Sequence, residues 1–238
     1  MTTPPVAIHV EISTKIPEVS TERIRAVVTQ LVRIMTGALP LERKARLAGL
    51  RIRILHCDPH PTNDPNRWPP EFDHATFTRE FSHLDYTADG RHYNTVAGFA
   101  GTLEVPMMAC SKDLICDETD WPVDESIFVH EFAHTIMNMA MGGPAFHGRI
   151  HNAYAAYAAL FTTKACRATY ACANVDEMWS EASQAWFGAT ARADVNRKIA
   201  TVSEIAKLPG LYAILEDTYG PPTSVCHLLE GCRGMCSL

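Results

Sequence analysis

Ser126-Ile-Phe-Val-His130-Glu131-Phe-Ala-His134-Thr-Ile-Met-Asn-Met-Ala-Met-Gly142-Gly143-Pro144 is the stretch whose reading organises the whole chain. Asp124 or Ser126 can cap a helix that runs through Met141, and Gly142-Gly143-Pro144 stops it. His130 and His134 stand four apart on one face of that helix, so both imidazoles can reach one ion. Glu131, one position on from His130, falls beside such an ion rather than on it. There a carboxylate can take the proton from a water held by zinc. Ile127, Phe128, Val129, Phe132, Ile136 and Met137 surround these polar residues, the composition of a helix buried on most sides.

Zinc requires a third protein ligand. Met137 and Ala140 occupy the positions where a metzincin extension needs Gly and His, which excludes that class. His147 and His151 are also four apart and are ligands in principle. Gly143-Pro144 is expected to break the chain before them, however, and His151 to open a different element. Glu177 is the better candidate, in Tyr170-Ala-Cys-Ala-Asn-Val-Asp-Glu177-Met-Trp-Ser-Glu181. Glu177 and Glu181 share a helical face, so one can ligate the ion while the other supports a ligating histidine from behind. Asn174-Val-Asp-Glu177 also fits a capping pattern, in which Glu177 reaches back to the cap amide. Glu181 and Gln184 keep a polar stripe on a helix that Ala182, Ala185, Trp186 and Phe187 otherwise mark as buried, and buried carboxylates need a partner.

His130-Glu-Phe-Ala-His134 followed by a Glu-x-x-x-Glu helix resembles the gluzincin zinc metallopeptidases, and most closely the family of the anthrax lethal factor catalytic domain. That family places a tyrosine seven residues before the glutamate ligand with an asparagine between them, and Tyr170, Asn174, Glu177 and Glu181 stand at those spacings. The long gap from His134 to Glu177 is also of that family's size. The resemblance covers about Asp124 to Phe187. It implies a zincin-like fold and one catalytic zinc ion, with His130, His134 and Glu177 as its ligands. Glu131 would be the general base, Tyr170 the hydrogen-bond donor to the oxyanion, and Glu181 a support behind the ligands. Cys166 and Cys172, flanking Tyr170, are not part of that family's motif. The expected activity is hydrolysis of peptide bonds in a peptide or protein substrate. The helix motif defines a nucleophile and not a substrate. A zinc hydrolase of a non-peptide amide therefore stays open, as does a secreted, toxin-like binding module without turnover.

Outward from this helix the chain reads as α+β, with strands first and helices after. Val6–Ile12 and Leu50–His56 alternate apolar and polar residues as half-buried strands do. Between them Ser20 or Thr21 can cap a helix with Ile24, Val27, Val28, Leu31 and Ile34 on one face, closed by Gly37 and Pro40. Asp58 to Pro70 is proline-rich and reads as an ordered loop or a subdomain joint. Val96–Leu103 is a glycine-weakened strand where another backbone can approach closely, a candidate edge for an extended peptide. The same glycines also suit a bulge. Val105–Cys110 is the next candidate strand. Further helices are expected over Ile150 to Thr163, from Asn174 to about Arg192, and in two or three short pieces between Asp194 and Tyr219. The expectation is one domain over 1–238, with a small mixed sheet in 1–122 and a mainly helical part in 123–238.

The chain has 238 residues, 47% of them hydrophobic, which is ample for a buried core. A formal net charge of −6 gives a nucleic-acid partner no electrostatic support. No apolar run reaches the roughly 18–20 residues of a membrane span. Eight cysteines are many for a cytosolic enzyme. They suggest disulfides, and the expected pairs are Cys110–Cys116 and Cys166–Cys172, with the tail of Cys226, Cys232 and Cys236 tied back through Cys57. A Cys166–Cys172 bridge would brace the loop that presents Tyr170. Cys226, Cys232, Cys236 and His227 as a structural zinc site, or eight reduced thiols, are the rival readings. No basic-then-apolar leader follows Met1, so the expectation is a secreted chain whose leader has been removed, with a cytoplasmic protein as the alternative.

Overall fold

Val10, Ile12, Ile52 and Ile54 alternate with charged neighbours, and the two segments that carry them pair in parallel. The computed structural model describes residues 8–14, 16, 18–55, 98–111 and 125–229. Within them β1 (His9–Ile12), β2 (Arg51–Leu55), β3 (Gly98–Phe99) and β4 (Met107–Ser111) form one sheet in the order β1-β2-β4-β3. β1, β2 and β4 are mutually parallel, while β3 lies antiparallel to β4, with Gly98 opposite Cys110 and Phe99 opposite Ala109. The sheet is therefore mixed, with β3 at its edge among the described strands.

α1 (Glu18–Met35) begins two residues before the expected serine cap. It buries Ile24, Val28, Leu31 and Met35 completely, the stripe that a 3.6-residue repeat brings to one side. A short α2 (Leu41–Arg46) then leads into β2. The expected Asp58–Pro70 loop lies outside the described residues. Val96 and Ala97 of the expected Val96–Leu103 strand lie outside the described residues, and β3 ends at Phe99 rather than Leu103, because Gly101 leaves the ladder and donates its N–H to Thr135 Oγ1 at 2.9 Å.

The helical part follows as a connected set. α3 (Ile127–Thr135) is capped by Ser126, whose Oγ accepts from the N–H of Val129. It does not run on as an α-helix to Met141. Ile136–Ala140 widens to a π-helical stretch, in which Met141 N–H donates to the carbonyl of Ile136 at 3.1 Å. α4 (Pro144–Ala158) starts at once and not at Ile150. Gly143 makes the turn at φ 128°, and Pro144 starts the helix, a position where its missing N–H costs nothing. His147 and His151 thus lie on one helix and are both exposed. α5 (Thr163–Arg167) and a 3₁₀ turn at Tyr170–Cys172 lead into α6 (Val175–Trp186), capped by Asn174. α6 ends well short of Arg192, where Gly188 turns the chain at φ 61°. α7 (Val202–Ile205) and α8 (Pro209–Tyr219) complete the set. No helix among the described residues is long and apolar enough to cross a membrane.

α3 and α6 pack against each other and together form the wall of the site. Ser126 N–H donates to the carbonyl of Ala189 at 2.8 Å, and Glu125 pairs with Thr190 in an isolated bridge. Arg192 spans from Glu125 at 2.8 Å to Asp194 at 2.9 Å. The start of α3 is thereby clamped to the loop that follows α6.

Candidate metal centre

Both helices deliver their polar residues to one point. From α3 come His130, 5% exposed, and His134; from α6 comes Glu177. His130 Nε2 lies 3.1 Å from His134 Nε2 and 3.1 Å from Glu177 Oε2. His134 Nε2 lies 3.3 Å from the same carboxylate oxygen. A tetrahedral ion bound at about 2.0–2.1 Å sets its ligand atoms about 3.3 Å apart, and the three edges match that spacing. Two imidazole nitrogens and a carboxylate oxygen that converge in this way are three electron-pair donors aimed at one position. Among the described residues this is the group that could hold a metal ion. His147 and His151 are not part of it.

Of the capping pattern at Glu177 only the Asn174 half forms. The backbone N–H of Glu177 donates to Asn174 Oδ1 at 2.8 Å, so Asn174 is the cap. Its side chain does not turn back to the cap amide but runs to the histidines. Burial pushes the Glu177 carboxyl up, and hydrogen bonds from His130 and His134 more than reverse this, holding it well below the usual carboxylate range. Burial pulls His130 down. The hydrogen bond to Glu177 and the charges of Glu131 and Glu181 outweigh that and raise it to about 10.

Glu181 is 1% exposed. Its Oε1 is 3.5 Å from His130 Nδ1, and its Oε2 has no hydrogen-bond partner. Burial is the largest influence and pushes its carboxyl up to about 7. His130 opposes that shift, and Glu125 and Glu177 add to it. The sequence suggests a place behind a histidine for Glu181 but no role for Gln184, one turn further along the same helix. Gln184 is fully buried, with Oε1 3.4 Å from the same His130 Nδ1 and Nε2 donating to the carbonyl of Ser126 at 2.9 Å. The signal was the polar stripe on an otherwise apolar helix.

Glu131 projects from α3 toward the sheet edge. A Cβ placed on Gly98 of β3 would fall 2.8 Å from Glu131 Cγ, 3.1 Å from the carbonyl oxygen of Ala109 and 3.1 Å from Ile127 Cγ2. β3 therefore passes the glutamate at a distance that only glycine permits. Thr135 Oγ1 donates to the carbonyl of Glu131 at 2.8 Å while accepting from Gly101, and Asn138 Nδ2 reaches the carbonyl of Gly101 at 3.4 Å. These contacts bind the segment after β3 to the helix just beyond the motif.

Tyr170 stands next to the triangle, its ring centroid 6.2 Å from that of His130. The other two tyrosines of this region have structural tasks. Tyr154 donates to the carbonyl of Cys172 at 2.8 Å, and Tyr157 to that of Arg197 at 2.9 Å. The Tyr170 turn is closed by the Cys166–Cys172 disulfide and tied by Ala171 N–H to the carbonyl of Val195 at 3.0 Å. Cys226 is also disulfide-bonded, which leaves the rival zinc cluster at Cys226, Cys232, Cys236 and His227 without one of its thiolates. Cys57, Cys116, Cys232 and Cys236 lie outside the described residues, so the expected Cys110–Cys116 bridge and the tie through Cys57 do as well. Cys110 itself is buried in β4. Comparisons of the chain with protein-family models, with curated proteins and with solved structures each return no match.

Proposed function

We propose that the protein is a zinc-dependent endopeptidase of the gluzincin type, with a zincin-like catalytic domain. The observation that carries this reading is the convergence of His130, His134 and Glu177 at tetrahedral spacing, with Glu131 on the same helix turn. Two imidazoles and one carboxylate are a donor set that suits zinc and leaves a coordination position for substrate or water. The metal, when bound, lowers the pKa of water to about 7 and polarises a carbonyl. Glu131 takes the proton from the attacking water and passes it to the leaving amine. The Tyr170 hydroxyl donates to the oxyanion as it develops, a contact worth about 3 kcal/mol by comparison with other oxyanion donors. β3, the edge strand among the described residues, is the strand against which an extended peptide would pair. The Cys166–Cys172 disulfide supports an oxidising, secreted setting.

Metal analysis with cleavage profiling on a peptide library tests this reading. One zinc per chain and cleavage that a chelator abolishes are expected. A zinc-loaded protein inert toward the library but active on small amides would replace it with the amide-hydrolase reading.

The close approach at Gly98 yields a further expectation. Gly98→Ala pushes a methyl group into Glu131 Cγ, and the backbone carbonyl of Ala109 closes off escape on the other side. Displacing a proton-transfer group by a fraction of an ångström is expected to lower kcat roughly 10- to 100-fold. Zinc content stays at the wild-type value, because the glutamate is not one of the three converging groups. Steady-state kinetics with metal analysis checks this, and an unchanged kcat would contradict it.

A further inference from the structure

Gln184 contacts one group of fixed polarity, the Ser126 carbonyl, and one ring nitrogen of His130. A backbone carbonyl oxygen can only accept, so the end of the Gln184 amide that faces Ser126 must be its NH₂. The opposite end is then its oxygen, again only an acceptor, and it faces His130 Nδ1 at 3.4 Å. Nδ1 must therefore carry a hydrogen, and in the neutral ring that a metal requires this leaves Nε2 as the nitrogen with the lone pair. Nε2 is the atom that meets His134 and Glu177.

We propose that Gln184 is a positioning residue that selects which ring nitrogen of His130 binds the metal. The inference rests on His130 being a metal ligand, as proposed above. Ser126 is a fixed reference for this selection, because it caps α3 and its N–H is held by the carbonyl of Ala189. Gln184 is tied to the same residue, its carbonyl accepting from Ala189 N–H at 2.8 Å. Turning the amide over would set two carbonyl oxygens against each other at Ser126, so the hydrogen-bond direction is locked from the backbone outward to the ring. Glu181 lies against the same nitrogen at 3.5 Å but has one oxygen with no hydrogen bond and no anchor of this kind. Glu181 contributes charge, and Gln184 contributes direction.

The test is nuclear magnetic resonance on the zinc-loaded full chain labelled with ¹⁵N in histidine, together with zinc affinity. In the wild type, His130 is expected to bind through Nε2 and to show a slowly exchanging Nδ1–H. Gln184→Met keeps the side-chain length and removes the acceptor. It is expected to lose the slow exchange and to weaken zinc binding about 10- to 100-fold, the range for partners behind a ligating histidine. A structural role alone would lower stability without moving the Nδ1–H resonance. Zinc affinity and a protected Nδ1–H that persist in Gln184→Met would overturn the proposal, as would their disappearance in Glu181→Leu alone. Should Gln184→Met fail to fold, the wild-type spectrum still decides, since coordination through Nδ1 overturns the assignment by itself. Wild-type protein that takes up no zinc defeats the peptidase reading along with this one. Zinc uptake that is indifferent to Gln184 defeats this one alone.

Discussion

Glu131→Gln is expected to abolish peptide cleavage, with kcat reduced about 10²- to 10⁴-fold, the range for a general base. Gln has the length and shape of Glu, so it fits the narrow space beside Gly98 and Ile127 without disturbing β3. An amide does not accept the proton from water at neutral pH, and the proton has no other route to the leaving amine in the proposed reaction. Zinc binding is unaffected, since the ligand atoms belong to His130, His134 and Glu177. The measurement is kcat on a peptide substrate with zinc content determined on the same sample. Turnover within tenfold of wild type would remove Glu131 from its proposed role.

The second large effect is on stability. Trp179 is fully buried on α6. It stacks on Tyr219 at 5.4 Å, meets Phe146 edge-on at 5.7 Å and donates its indole N–H to the carbonyl of Ala133 at 3.0 Å. Ala133 immediately precedes His134, and Trp179 follows Glu177 by two residues, so this one side chain joins the two helices directly beneath the proposed ligands. Trp179→Ala opens a cavity and leaves a buried carbonyl without its partner. A loss of about 3–5 kcal/mol is expected for the cavity, a large part of the roughly 5–15 kcal/mol that holds a domain folded. Denaturant titration of the metal-free protein measures it. A loss below about 1 kcal/mol would mean that the α3–α6 contact is not organised around Trp179.

The caps were legible because their chemistry is local. Ser126 and Asn174 each satisfy an N–H three residues on, and both helices start where those residues stand. The His130 and His134 pair was legible for the same reason, since four-residue spacing is a property of the helix alone. α1 was legible through its buried stripe of Ile24, Val28 and Leu31. Features made by distant contacts were not. β3 stops at Phe99 because Gly101 is drawn to Thr135 and Asn138 across the fold, and nothing in Gly98–Leu103 itself marks where pairing stops. The widening at Ile136–Ala140 falls where those same side chains reach the strand, amid residues with no helix-breaking signal. Gly143-Pro144 reads as a stop and so predicts a late start for α4, whereas Pro144 is the first residue of that helix. Gln184 is in the sequence one polar residue on a buried face, and only the fold brings Ser126 and His130 to either end of its amide.

Zinc titration of the metal-free protein, followed by cleavage of an unfolded protein substrate, tests the central claim most directly. Activity should rise in proportion to added zinc and saturate at one equivalent. The Glu131→Gln variant should bind the same single equivalent and remain inactive. Cleavage that is independent of zinc, or a wild type that binds one equivalent through His130, His134 and Glu177 and cleaves nothing, would contradict the account.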